Sequence, residues 1–91
     1  LAPSFGASVA WAIVQGERHG AAHGLAMLDR LPDAPMRGFQ PYWAARARLL
    51  QRDGQGQAAR SAYDRAIDLA TEIPLRRYLE RARDGSGASG I

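Results

Sequence analysis

The chain predicts an all-α fold, an array of two antiparallel helical hairpins closed by a C-terminal capping helix. Three observations predict it. Large and small apolar residues fall at helical spacing on both sides of Gly54, with Trp43, Ala47 and Leu50 before it and Ala59, Tyr63 and Ala66 after it. Such spacing lets a ring on one helix sit over an alanine of its antiparallel neighbour. Few segments carry the β-branched and aromatic alternation of strands. Finally, Gly16, Ala21, Leu25 and Leu28 recur 38 positions later as Gly54, Ala59, Tyr63 and Ala66. The same offset carries Trp43, Ala47 and Leu50 back onto Phe5, Val9 and Ala12, so the two units predict stacked hairpins.

Each element has its own signals. Pro3-Ser4 offers a helix start, followed by Phe5, Val9, Ala12 and Ile13 at i, i+4, i+7 and i+8. This first helix is expected to end near Gln15, with Gly16 on its C-terminal side. A second helix covers 21 to 30, with Leu25 and Leu28 facing the first; together they make a hairpin over about 4–30. Leu31-Pro32-Asp33-Ala34-Pro35 breaks the helical pattern, leaving a loop with a short turn of helix around Met36. Pro41 suits the first turn of a third helix running to about Arg52. Asp53-Gly54-Gln55-Gly56 is the turn into a fourth, at 57–71, which completes a second hairpin over about 41–71. Its Asp64 and Asp68 lie outward, and Arg60 stands four residues before Asp64 as a weak helical ion pair. Pro74 opens a capping helix to 83, with Leu75, Tyr78, Leu79 and Ala82 on one side and Arg76, Arg77, Glu80, Arg81 and Arg83 on the other. The tail at 84–91, rich in glycine and serine, reads as flexible.

Composition narrows the function classes. Ninety-one residues make one small domain, 46 % apolar, with a thin core. The expected core is Phe5, Val9, Leu25, Leu28, Trp43, Ala47, Leu50, Ala59, Tyr63, Ala66 and Leu79. There is no cysteine, so neither a disulfide scaffold nor a thiolate metal site is possible, and the chain suits a reducing compartment. No apolar run approaches the ~20 residues of a membrane span. The chain begins Leu1-Ala2-Pro3, without methionine, and reads as a piece of a longer polypeptide. All 12 basic residues are arginine, against 9 acids, for a net charge of +3. That balance permits weak contact with polyanions and does not imply strong nucleic-acid binding.

Candidate chemistry is sparse. His19 and His23, at i, i+4, are a conceivable zinc pair, but glycines at 16, 20 and 24 and the lack of a further ligand nearby in sequence favour a surface loop. No Gly-x-Ser-x-Gly, phosphate-binding loop or paired-carboxylate motif is present; Gly16, Gly20 and Gly24 lack the lysine and strand that a phosphate loop needs. The expectation is therefore no enzyme, no metal, no cofactor and no small-molecule substrate. Trp11, Trp43, Tyr63 and Tyr78 are a conceivable base-stacking platform, but their spacing among alanines predicts core packing instead. Arg48, Gln51 and Arg52 on the third helix, with Arg76 and Arg77 on the capping helix, are the candidate partner-binding residues.

Two resemblances follow from these residues. Trp43, Ala47, Leu50, Gly54, Ala59, Tyr63 and Ala66 resemble a tetratricopeptide repeat. Over about 80 residues the chain is also similar to the C-terminal extension of a group of extracytoplasmic-function (ECF) RNA polymerase sigma factors. Four segments carry this second likeness in order: Phe5 to Gly16, Gly24-Leu25-Ala26-Met27-Leu28-Asp29, Tyr42 to Arg52, and Arg76-Arg77-Tyr78-Leu79-Glu80-Arg81. Gly6-Ala7 stand where that group carries Asn-Arg, and the loop before Phe39 is shorter. The resemblance implies a cytoplasmic bacterial protein directing polymerase to promoters, with DNA contacted only through upstream domains. The present segment would be its regulatory or protein-interaction part, its partner being RNA polymerase, the upstream sigma domains or a separate regulator. A free-standing tetratricopeptide adaptor and an accessory nucleic-acid-binding helical domain are the alternatives.

Overall fold

The computed structural model describes residues 4–88, with side chains through 85. Among these residues there are six α-helices and no strand: α1 (Phe5–His19), α2 (Ala21–Asp29), α3 (Asp33–Met36), α4 (Gln40–Arg52), α5 (Gly56–Leu69) and α6 (Ile73–Ala88). The all-α class is as predicted. α1 pairs with α2 and α4 with α5; α4 also packs on both α1 and α2, and α6 packs on α5.

The turns follow from local chemistry. Ser4 caps α1, its hydroxyl accepting from the Ala7 N–H at 3.3 Å. Pro41 occupies the first turn of α4. That helix ends with Gly54 at φ +80°, its N–H donating to Gln51 O and the Gln55 N–H to Leu50 O. These crossed bonds satisfy carbonyls that the helix end leaves open.

The first turn departs from expectation. α1 continues past Gln15 to His19, and the reversal is made by Gly20 at φ +104°. Gly20, not Gly16, is thus the counterpart of Gly54 as the turn residue. Gly16 is buried inside the helix, where its Cα and that of Gly24 bring α1 and α2 together with Leu49 of α4 seated against both. The repeat offset is therefore kept in the core positions and not at the turn.

The core holds Val9, Leu25, Leu28, Ala47, Leu50, Ala59, Tyr63, Ala66 and Leu79 as predicted, together with Leu49, Met36 and Ile67. Two predicted members differ. Phe5 is 38 % exposed, since it stands in the first turn of α1, at the edge of the packed helices. Trp43 is half-buried, packed on the core's edge, and its indole N–H donates to Met36 O at 2.9 Å and Arg37 O at 3.1 Å. The ring thereby satisfies the carbonyls at the end of α3.

α6 runs five residues beyond its predicted end at 83, so 84–88 are helical, not the start of a flexible tail; residues 89–91 of that tail lie outside the described residues. Glycine in a helix costs about 1 kcal/mol relative to alanine, which an already formed helix tolerates. Arg83 also ties this end down, donating to Asp64 Oδ1 at 2.7 Å and to Asp84 Oδ1 at 3.0 Å. Its guanidinium holds the Asp84 carboxyl below its ordinary pKa. Asp64 is therefore bridged from α6, not by Arg60 on its own helix.

Candidate functional site

A groove of about 350 Å³ opens between α1, α4 and α6. Its floor and walls are apolar: Val9 and Ile13 from α1, Ala44 and Ala45 from α4, Leu75 and Leu79 from α6. Gly6, Ala10 and Ala44 keep the walls short, so the space comes from missing side-chain bulk. At one end the groove passes into a second, polar compartment of about 320 Å³ bordered by Arg48, Gln51, Arg52, Tyr63, Tyr78 and Ala82. Arg48, Tyr63 and Tyr78 border both.

The polar end is held from beneath. Tyr63 of α5 is buried, and its hydroxyl donates to Gln51 Oε1 at 3.1 Å. Burial raises the Tyr63 pKa above its ordinary value, the nearby Tyr78 adds to the rise, and Arg48 opposes it. Arg48 and Arg52 lie one helical turn apart on α4 and share one carboxylate, Glu17 of α1. The Nη2 of Arg48 lies 3.4 Å and the Nη1 of Arg52 3.6 Å from Glu17 Oε1. Charge-assisted bonds normally close to about 2.7–2.9 Å. Both contacts are long, and all three side chains are about half exposed. Such pairs contribute about 0–1 kcal/mol.

Of the five predicted partner-binding residues, Arg48, Gln51 and Arg52 are brought together at this end of the groove. Arg76 and Arg77 are exposed on α6 and border neither compartment. Sequence reasoning missed the apolar half. Ile13, Leu75 and Tyr78 read as core-facing positions, and the signal for a gap was the set of small residues Gly6, Ala10 and Ala44 on facing helices. Two aromatics expected inside are also outside: Trp11 is 52 % and Tyr78 55 % exposed. Trp11 shares with Val14 the side of α1 turned away from the core, while Tyr78 edges the groove.

Elsewhere the surface offers ion pairs and stacking. Arg46 bridges to Asp29 at 2.8 Å, joining α4 to α2. Arg65 lies 5.9 Å from the Trp43 ring centroid and donates to Arg37 O at 2.7 Å. The His19 and His23 rings meet edge to face at 5.4 Å across the α1–α2 turn, both exposed. Among the described residues no group of three or more histidine, cysteine, aspartate or glutamate side chains is placed to hold a metal. Nor does any helix there have the length and apolarity to cross a membrane. No charged side chain is buried, and no buried side-chain polar atom among those residues lacks a hydrogen-bond partner. The groove therefore offers shape, apolar surface and two guanidinium groups. Comparisons with models of protein families, with curated proteins and with solved structures found no match.

Proposed function

We propose that this chain is a helical docking domain that holds a protein partner in the groove between α1, α4 and α6, and that it serves as the regulatory C-terminal extension of an ECF-type sigma factor. The observation that carries the docking reading is the groove itself, an apolar trough continuous with Arg48, Gln51 and Arg52. Pockets for specific recognition have this makeup, mostly apolar with a few convergent polar groups. The sigma-factor assignment is supported by the four ordered segments from Phe5 to Arg81. On this reading, promoter and core-polymerase contacts belong to upstream parts of the parent, and the domain acts by binding and not by chemistry.

The test is affinity capture with the parent protein in three forms: intact, lacking this segment, and carrying Ala44→Trp to fill the groove. Polymerase subunits and other captured proteins are scored. Docking through the groove predicts at least one partner lost in both altered forms, with circular dichroism confirming that the tryptophan variant stays helical. A partner set identical in all three forms refutes it. Polymerase capture that is independent of the segment in a promoter-active parent removes its recruiting role. DNA affinity of the isolated 91-residue chain at about 50 mM salt, falling with added salt, would instead favour a nucleic-acid accessory domain.

A further inference from the structure

We infer that the occupant of the groove is an acidic peptide segment with an apolar anchor, its hydrophobic side chain seated over Ala44 and its carboxylates between Arg48 and Arg52. This inference deepens the docking reading and rests on it.

Charge complementarity selects the ligand. Two guanidinium groups at the polar end share a single carboxylate, that of Glu17, Arg48 through a long hydrogen bond of 3.4 Å and Arg52 at 3.6 Å. An incoming carboxylate can draw them to bonding distance, taking the place that Glu17 holds loosely or adding to it. Gln51 accepts from the Tyr63 hydroxyl through Oε1, which leaves its amide Nε2 to donate beside the two arginines. The neighbouring compartment has no charge to offer apart from Arg48, and its volume lies at the lower end of about 300–1,000 Å³ for ligand pockets. It suits one or two apolar side chains.

The helix sets the spacing. Arg48 and Arg52 lie about 6 and 12 Å along α4 from Ala44, at 1.5 Å per residue. An extended peptide rises about 3.3 Å per residue. The acids therefore fall about two and four residues from the anchor. A peptide Ser-Leu-Phe-Ser-Asp-Ser-Glu-Gly meets this pattern with phenylalanine as anchor.

The experiment titrates the fluorescein-labelled peptide with the 91-residue chain and follows anisotropy. Parallel arms use a peptide with lysine at both acidic positions and one with serine at both apolar positions. Saturable binding is expected for the acidic peptide, with at least a tenfold loss in either control. Arg48→Gln with Arg52→Gln, both side chains about half exposed, and separately Tyr78→Ala, are each expected to weaken binding. Amide shifts on binding are expected at Ala10, Ala44 and Arg48. Equal affinity for the acidic and lysine peptides, or no saturation by about 1 mM, overturns the inference. So does unchanged affinity in the arginine variant. Concentration-dependent dimerisation of the chain that Tyr78→Ala abolishes would make the groove a self-contact and overturn it as well. If Ala44→Trp abolishes partner capture by the parent while the peptide fails to bind, the ligand chemistry is wrong and the docking reading stands. If capture survives Ala44→Trp, the docking reading itself falls.

Discussion

Replacing Gly24 by alanine tests the close approach of α1 and α2. In an exposed helix this change stabilises, because glycine costs about 1 kcal/mol relative to alanine. Here an added Cβ would lie 2.7 Å from the Ala12 carbonyl oxygen, 3.0 Å from Gly16 Cα and 3.0 Å from a Leu49 methyl. Ordinary contact is about 3.5–4.0 Å. Two of the three neighbours are backbone, which no rotamer change can move aside, and Leu49 is 1 % exposed. The helices must therefore separate, and overpacking costs about 1–3 kcal/mol or more. Placing this site at the upper end and subtracting the helix gain leaves a net loss of about 2 kcal/mol. For a domain of this size that lowers the melting temperature by about 8–16 °C. Thermal unfolding followed by far-ultraviolet circular dichroism reads it directly. Gly85→Ala is the control, since its added Cβ meets nothing within 4 Å; it should stabilise α6 slightly. If Gly24→Ala melts at or above the unsubstituted chain, the two helices do not meet as described.

Further expectations concern the core and the site. Leu28→Ala, at a fully buried position, should cost about 2–5 kcal/mol in urea denaturation, and Phe5→Ala clearly less, because that ring is partly in water already. Equal losses would return Phe5 to the core. Trp43→Phe removes the indole donor from Met36 O and Arg37 O and should cost about 1–3 kcal/mol; amide exchange in 33–38 should speed up, and unchanged exchange would dismiss the tie to α3. Tyr63 titrates at a raised pKa when folded, so it binds its proton more tightly folded than unfolded. Its contribution to stability is complete below about pH 10, the unfolded value, and is lost as pH rises through the folded value. Tyrosinate absorbance should show a late component that Tyr63→Phe deletes; its persistence in that variant would assign it elsewhere.

Much of the fold was legible because the signals are local. Helical spacing of alanine against large residues marked α4 and α5, Pro41 marked a first turn, and Gly54 marked a reversal. Gly16 was misread because a helix-ending glycine and a close-packing glycine look alike in one sequence. Only Gly24 and Leu49 across the interface distinguish them. Phe5, Trp11 and Tyr78 were read as core because periodicity tells which residues share a face and not how deeply a neighbour covers it. Gly85 and Gly87 looked like a stop, yet the ion pair of Arg83 with Asp64 joins residues 19 apart and holds that end of α6. The candidate site divides in the same way. Arg48, Gln51 and Arg52 share one helix and could be grouped by spacing. The apolar compartment joins three helices far apart in sequence, so its members were counted as interior.

α6 forms one whole wall of the groove yet rests chiefly on α5, with Leu79 as its fully covered contact. The aperture is thus governed by a single interface, while α1 and α4 are fastened to each other directly. Local opening at that seam should need less free energy than global unfolding, so the amides of α6 should exchange with deuterium before those of α4. A guest too thick for the resting width can then enter by tilting one helix, leaving the paired hairpins undisturbed.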